Sequence, residues 1–565
     1  MLILFSRGTL VTAPALPTSG ARLLTYNKAT HDYVVFSDDE KKAKEIGLTL
    51  STNSHGPNGE KVWSTKIPYA AMPYWEEADA RAKERLAPLR KDYENSWRTT
   101  WDGPSFPHPS TAPNGDPLDF MPYQNAGIDY GIQHEDVLIG DEPGLGKTGQ
   151  AIGIANQLQM ERVLVICPAN IRLNWKKEIH KWSTMPNPRT YPIIKATNGV
   201  SPSANFTMVS YELARNEHLH KALCELKWDM IVIDEAHYLK EKSAQRTHAV
   251  FGGGRKHIYS KSVLVDQAEK VVALTGTPLP NRPRECFTIA NALCPESIDW
   301  MTFDEFAFRF NPSGREFNQF TNAVYNREEK GRLPELNARL RSNFMIRRHK
   351  KDVLKDLPDK RYELTYIEPT GAIADIIARE RMLDFSIDDL SDPFAQIWGQ
   401  ISTIRREMGE AKLPRAIEHI RYLLDVVELP KVLVFFHHRE VMDRFRAEMA
   451  KYGVVEMRGG MTANAKQKSI DDFISDPTKR IFSGQMDSAG VGIDGLQGVC
   501  AHCVVVEAAW VPGVNEQAID RLHRKGQHGN VVAQFLVVEG SLDERILAAI
   551  LEKSETIHES IDARH

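Results

Sequence analysis

Three short segments of the 565-residue chain combine residue types that handle phosphate and a divalent metal. The first is DEPGLGKT, residues 141–148, between the apolar run VLIG and the helical pattern GQAIGIANQLQ. A glycine-rich turn from strand into helix points backbone N–H groups at an anion, and the helix dipole favours negative charge there. Gly144 and Gly146 belong to that turn; Lys147 would reach the outer phosphates, and Thr148 would give its hydroxyl to Mg²⁺. The strict phosphate-loop pattern wants glycine where Asp141 stands, so alone the segment also reads as a glycine-rich turn capping a helix. The second segment, Asp234–Glu235–Ala236–His237, ends the apolar run 230–234. A carboxylate at the tip of a parallel strand beside a phosphate loop is where a Mg²⁺ ligand belongs. Asp234 would hold the metal, mostly through its water, and Glu235 would orient and deprotonate the attacking water; alone, the tetrapeptide also reads as an acidic surface turn. The third is QAIDRLHRKGQ, residues 517–527, where Arg521 and Arg524 would project the same way on a helical turn. Paired guanidiniums suit a γ-phosphate, although the segment alone reads as a solvated basic helix face. The three together describe a Mg²⁺-dependent ATPase site, completed from a distant lobe so that hydrolysis becomes lobe movement.

Such a site needs strands to carry it. Apolar, largely β-branched runs at 163–167, 230–234, 271–275, 432–436 and 504–507 alternate with helical patterns. Continuous apolar runs of this length predict parallel strands buried on both faces, in two successive α/β groups. The stretch 281–425 between them reads as mostly helical, with few strand candidates. Residues 101–119 hold five prolines and predict an extended linker. Before it, residues 1–100 mix short β-like runs with a charged helical stretch at 76–97, and core packing accounts for most of the aromatics Tyr33, Phe36, Trp63, Tyr69, Tyr74 and Trp75.

Composition narrows the class. Apolar residues make up 42% and charged residues 26%, enough for several real cores. Lys+Arg 71 against Asp+Glu 75, a net charge of −4, excludes a histone-like polycation but not a basic groove for nucleic acid. Six cysteines point to a reducing compartment rather than a disulfide framework, and Cys500 and Cys503 read as core thiols. No membrane span and no signal peptide is expected.

The order of motifs resembles superfamily-two helicases, and within them the Swi/Snf-type translocases on double-stranded DNA. The resemblance covers residues 118–550 and rests on MPYQNAGIDY (121–130), GDEPGLGKT (140–148), VICPANIRLNWKKEIHKW (165–182), SYE (210–212), IDEAHYLK (233–240), LTGTPLPNRP (274–283), FMIRRHKKDVLKDLP (344–358), SAGVGID (488–494) and QAIDRLHRKGQ. The family's own phosphate loop has Asp at the position of Asp141. AKLP (411–414) and VFFHH (434–438) look most like the annealing-helicase branch, which rewinds or remodels forked DNA. The resemblance implies an α/β fold of two RecA-like parallel-sheet lobes with helical insertions, plus a small α+β N-terminal domain. The expected division is an accessory domain at 1–100, a linker at 101–117, a first lobe at 118–365 and a second at 366–565. It also implies roles: Gln124 reading the adenine edge, Asp141, Gly144, Gly146, Lys147, Thr148, Asp234 and Gly492 around ATP and Mg²⁺, and Thr275 and Thr277 coupling nucleotide state to the DNA track. Lys147, Glu235, Arg521 and Arg524 would be catalytic. RRHKK (347–351) reads either as a phosphate-tracking run or as a solvated helix start, and Trp175 and Trp182 as inward packing. The implied activity is a DNA-dependent ATPase moving on duplex or forked DNA; a strand-separating helicase and an ATP-gated DNA clamp are the alternatives. No nuclease constellation is visible, and the stretch after Gln527 is too short for a stable added domain. The compact plan suits a bacterial or phage protein acting in the cytoplasm, or a nuclear one if eukaryotic.

Overall fold

The computed structural model describes residues 2–4, 10–12, 23–27, 31–39, 43, 48–55, 60–113, 115, 117–252, 263–279, 282–318, 323–328, 332–369, 371–382, 398–489 and 495–548. Gly490, Gly492 and Asp494 of the SAGVGID segment lie outside the described residues.

Seven parallel strands form the first sheet, in the order Met345–Ile346, Val137–Ile139, Ala268–Leu274, Trp228–Asp234, Val163–Cys167, Phe206–Ser210, Thr190–Pro192. Six parallel strands form the second: Lys360–Ile367, Val531–Val538, His502–Val505, Val432–Phe436, Ile481–Gln485, Val454–Met457. The reason the central strands read as unbroken apolar runs is visible in their packing. Leu164 and Ile166 enter one core cluster while Val163, Val165 and Cys167 enter the cluster on the opposite face. Val432, Val434 and Phe436 likewise part from Leu433 and Phe435. With helices on both faces, every position of such a strand must be apolar. Cys500 and Cys503 are buried in the second of these lobes, as free thiols.

The region between the sheets departs from the expected mostly helical texture. Helices Phe287–Leu293, Phe303–Phe310, Leu333–Arg341, Ala372–Arg381 and Trp398–Asp425 are there, but so is an antiparallel hairpin, Ser313–Asn318 with Ala323–Glu328. Edge strands of both sheets lie there too. Lys360–Ile367 pairs with Val531–Val538 over its whole length, so the chain passes from one sheet to the other before Lys360, and a boundary at 365 falls inside a strand of the second sheet. This strand alternates exposed polar and apolar residues, which is why it does not stand out beside the apolar central strands.

The N-terminal region forms a four-stranded antiparallel sheet in the order Leu23–Asn27, Asp32–Phe36, Lys61–Thr65, Thr49–His55, followed by helix Ala80–Asn95. Asp79 caps that helix by accepting from the Ala82 N–H. Tyr33, Phe36, Trp63, Tyr69 and Tyr74 are buried, and Trp75 is flanked by Lys83 and Arg90. This domain is packed on the first lobe: the Arg341 guanidinium lies 3.4 Å from the Trp97 ring centre and that of Arg339 4.6 Å from Tyr69. The proline-rich stretch is also laid on that lobe. Phe106 N donates to Asn125 Oδ1 at 2.9 Å, and His108 meets the Phe120 ring edge-on at 5.3 Å. Among the described residues, no helix is long and apolar enough to cross a membrane.

Candidate functional site

The first four strands of the first sheet are neighbours, and their C-terminal tips carry Arg347, the phosphate loop, Thr275 and the acidic pair. A parallel sheet gathers its strand ends at one edge, so residues far apart in sequence meet there. Helix Lys147–Gln157 starts directly from Gly146, which has φ 73° and supplies no side-chain cap. Its first-turn N–H groups therefore face the loop, as an anion site requires. Gly144 and Gly146 both have positive φ, and a Cβ at Gly146 would come within 2.3 Å of Gln124 Nε2. Gln124 thus lies against the loop, donating to Leu145 O at 3.2 Å. Lys147 Nζ donates to the carbonyls of Asp141 (2.7 Å) and Glu142 (3.3 Å), with its ammonium folded into the loop. Burial lowers its pKa against the pull of Glu235, Asp141 and Asp234.

Successive side chains of a strand point to opposite faces, yet Asp234 and Glu235 both act on Lys147. The break in alternation is made by Glu235 itself, at φ 54° and ψ 51°, a left-handed conformation rare for a non-glycine residue. Asp234 is held by Trp175, whose indole N–H donates to Oδ2 at 2.7 Å, and by the Glu235 N–H at 2.9 Å to Oδ1. Burial, then the charge of Glu235, pushes the Asp234 carboxyl above the usual carboxylate range. For Glu235 burial again opposes charge, but His237, Lys147 and Arg521 together hold its carboxyl below the usual range. His237 Nδ1 stands 3.3 Å from Glu235 Oε2, 3.0 Å from Thr275 Oγ1 and 3.4 Å from Thr277 Oγ1. Gln517 of the second lobe then donates to Thr277 Oγ1 at 3.2 Å, which extends this polar chain from the acidic pair across the cleft.

Asp141 is placed differently from the expected nucleotide contact. Its carboxylate is fully buried and forms a forked ion pair with Arg348 (Nε to Oδ1 2.9 Å, Nη2 to Oδ2 2.5 Å), with Gln150 Nε2 donating at 2.9 Å. Lys147 donates to the Asp141 carbonyl and not to the carboxylate, whose charge acts on it from a distance. RRHKK is accordingly neither a phosphate track nor a solvated helix start over residues 347–350. Arg347 donates to the carbonyls of Gly140 (2.6 Å) and Gly276 (3.1 Å), tying the phosphate-loop strand to the Thr275–Thr277 loop, and only Lys351 is exposed.

Arg521 and Arg524 do not share a regular helix: Arg521 stands on the turn that closes helix Pro512–Ile519, its N–H donating to Ala518 O at 3.3 Å, and Arg524 beyond it. They nevertheless reach the site: a Cβ on Gly144 would be 3.0 Å from Arg524 Cβ, and Arg521 is close enough to help hold Glu235 ionised. The arrangement fits a magnesium nucleotide triphosphate: an uncapped helix N-terminus for phosphate, Lys147 and two arginines for its charge, and hard oxygens from Asp234 and Thr148 for the metal. His237 stood in the acidic segment without an assigned role, and Trp175, Arg347, Arg348 and Gln150 were not separable from core or surface residues by type alone. Their one shared signal is position just past an apolar run or on the helix that follows it.

A family model described as SNF2-related domain matches residues 89–377, and one described as helicase conserved C-terminal domain matches residues 415–526. Among curated proteins, the chain is 29% identical over 455 residues to the DNA annealing helicase and endonuclease ZRANB3 of Bos taurus, covering 79% of this chain and 41% of that protein. It is 30% identical over 454 residues to the SWI/SNF-related matrix-associated actin-dependent regulator of chromatin subfamily A-like protein 1 of Xenopus laevis, covering 77% and 43%. The chain therefore spans well under half the length of these two relatives. Among solved structures, the Sulfolobus solfataricus SWI2/SNF2 ATPase core in complex with dsDNA aligns over 79% of this chain and 98% of its own, at 21% identity and a TM-score of 0.37. With one family model matching more than half its length, and the two parallel-sheet lobes in place, the chain belongs to the SNF2-related family.

Proposed function

We propose that this chain is an ATP-driven motor that moves along double-stranded DNA and rewinds or remodels it. The observation that carries the proposal is the seating of the Arg524 backbone and Cβ against Gly144, which brings the arginine segment of the second lobe onto the phosphate loop of the first. Bound Mg²⁺–ATP would supply the phosphoryl group and the charge that the two lobes close upon. Lys147 and the first-turn N–H groups bind phosphate, Asp234 and Thr148 hold the metal, and Gln124 lies where an adenine edge would be read. Glu235 accepts the proton of the attacking water at its carboxylate, and Arg521 and Arg524 neutralise charge at the γ-phosphate. The polar chain from Glu235 through His237, Thr275 and Thr277 to Gln517 ties these events to the relative placement of the lobes. Contacts to a duplex backbone carry little base information, so sequence preference is low.

The N-terminal domain is assigned to recognition of branched or forked DNA, and such a motor works wherever its DNA is, in a prokaryotic cytoplasm or a nucleus. Removing residues 1–115 then lowers affinity for forks more than for plain duplex; equal loss on both argues against that role. Translocation is tested by displacement of a triplex-forming strand under ATP. Displacement without unwinding of a tailed duplex supports the proposal, whereas efficient unwinding moves the assignment to a strand-separating helicase. Turnover too slow to sustain either would leave an ATP-gated clamp.

A further inference from the structure

Arg521 and Arg524 stand just past the end of helix Pro512–Ile519, where the Arg521 N–H still donates to Ala518 O at 3.3 Å, so their place depends on how this short segment is held. Each is preceded directly by a residue that Lys350 holds. Lys350 Nζ pairs with Asp520 Oδ2 at 2.8 Å and donates to His523 O at 2.6 Å. Lys350 and Asp520 are buried, at 3% and 4% exposure, and so are screened from solvent ions. On its other side, Lys350 belongs to the phosphate loop's support: its backbone N–H donates to Glu142 Oε2 at 2.7 Å, and His349 Nδ1 lies 3.1 Å from Glu142 Oε1. The preceding residues, Arg347 and Arg348, are bolted to Gly140, Gly276 and Asp141. Lys350 therefore cannot move without the first lobe. Within the second lobe, Lys360 completes the cluster by pairing with Asp520 (3.0 Å) and Glu516 (2.8 Å), and His523 Nε2 stands 2.8 Å from Pro358 O.

We infer that Lys350 is a positioning residue that carries the geometry of the phosphate loop, through Glu142, to Asp520 and His523, and thereby sets where Arg521 and Arg524 meet the γ-phosphate. The inference rests on the ATPase reading of the site and names the part of it that aligns the two lobes. The Lys350 stem lies beside Gly144 of the phosphate loop, but its ammonium is committed to Asp520 and His523 O. Its loss should therefore leave ATP binding nearly intact and slow the step in which the arginines act, because a misplacement of about 1 Å can cost roughly 100-fold.

The test compares wild type, Lys350→Met and Lys350→Arg in ATP turnover at saturating duplex DNA, with ATP binding followed by a fluorescent ATP analogue. Lys350→Met is expected to lower kcat about 10- to 100-fold while KM for ATP and analogue affinity move less than about 3-fold. Lys350→Arg, which keeps charge and reach, is expected to recover most of kcat. Glu142→Gln loosens the same bridge from its other end and serves if Lys350→Met does not fold; it should show the same split at a smaller size. Unchanged kcat in a folded Lys350→Met protein, or in Glu142→Gln where that protein stands in for it, overturns the inference. So does a loss that falls on ATP affinity instead, or one that Lys350→Arg fails to relieve. A wild-type protein that does not turn over ATP overturns the ATPase reading as well, so the two failures are told apart by the wild-type lane.

Discussion

In the first lobe each site residue but Gln124 stands at the C-terminal tip of a strand, on the loop that follows it or on the helix beyond, and its own lobe holds it: Lys147 by its loop carbonyls, Asp234 by Trp175, Asp141 by Arg348. In the second lobe Arg521 and Arg524 stand past the end of a helix, and the residues before them are held by Lys350, which is anchored to the first lobe. The difference teaches how such a site can act as a switch. One half is preorganised by a sheet edge and is ready whenever the first lobe is folded. The other half is held in part by its own lobe, through Lys360 on Asp520 and Pro358 O on His523, and meets the first half only while the lobes touch, so opening the cleft removes the arginines without disturbing the phosphate loop.

The comparison can be broken most severely at the arginines. Arg521→Ala should cut ATP turnover by about 10³-fold or more while leaving ATP binding close to wild type, measured by steady-state hydrolysis beside equilibrium binding. Glu235→Gln should cost about 10²- to 10⁴-fold in the same assay, with binding retained, since it removes the proton acceptor and not a phosphate contact. On the structural side, Arg348→Met leaves the Asp141 carboxylate buried without its ion pair. It should destabilise the first lobe by about 3–5 kcal/mol in urea unfolding, with the second lobe's transition unchanged.

A smaller effect sharpens the picture at the joint between the lobes. Burial opposes the charge of Glu142, but His349 and Arg347 hold its carboxyl down to about 2. A carboxyl depressed on folding stabilises the folded state above its unfolded value and loses that contribution as pH falls through its folded one. Unfolding followed from pH 5 down to pH 2 should thus show a shallower acid loss in Glu142→Gln than in wild type, with the two proteins differing most at the upper end. Lys351→Ala, at the exposed neighbour of Lys350, should change turnover less than about 2-fold, as expected of a surface residue.

What was legible in the sequence follows the same division. The strands at 163–167 and 432–436 were readable to the residue, because burial on both faces makes them unbroken apolar runs. DEPGLGKT and Asp234–Glu235 were readable because a phosphate loop and an acidic strand tip need particular residues at adjacent positions. The edge strand Lys360–Ile367 was hidden by its alternating pattern, and the hairpin Ser313–Asn318 with Ala323–Glu328 by its polarity. Arg347, Arg348 and Lys350 read as either a phosphate track or solvated charge, since sequence spacing cannot show that Asp141, Gly140 and Asp520 lie across from them. The same limit applied to the proposed helical turn under Arg521 and Arg524: three-residue spacing is compatible with a helix, but the chain ends its helix at Ile519.

The most direct test of a site shared between lobes is steady-state ATP turnover without DNA, with single-stranded DNA and with duplex DNA, in wild type and Arg521→Ala, with Lys147→Ala as the blank. The account predicts strong stimulation of wild type by duplex and turnover near the blank in Arg521→Ala on every DNA. Turnover that ignores DNA, or an Arg521→Ala protein that hydrolyses ATP like wild type, would contradict it.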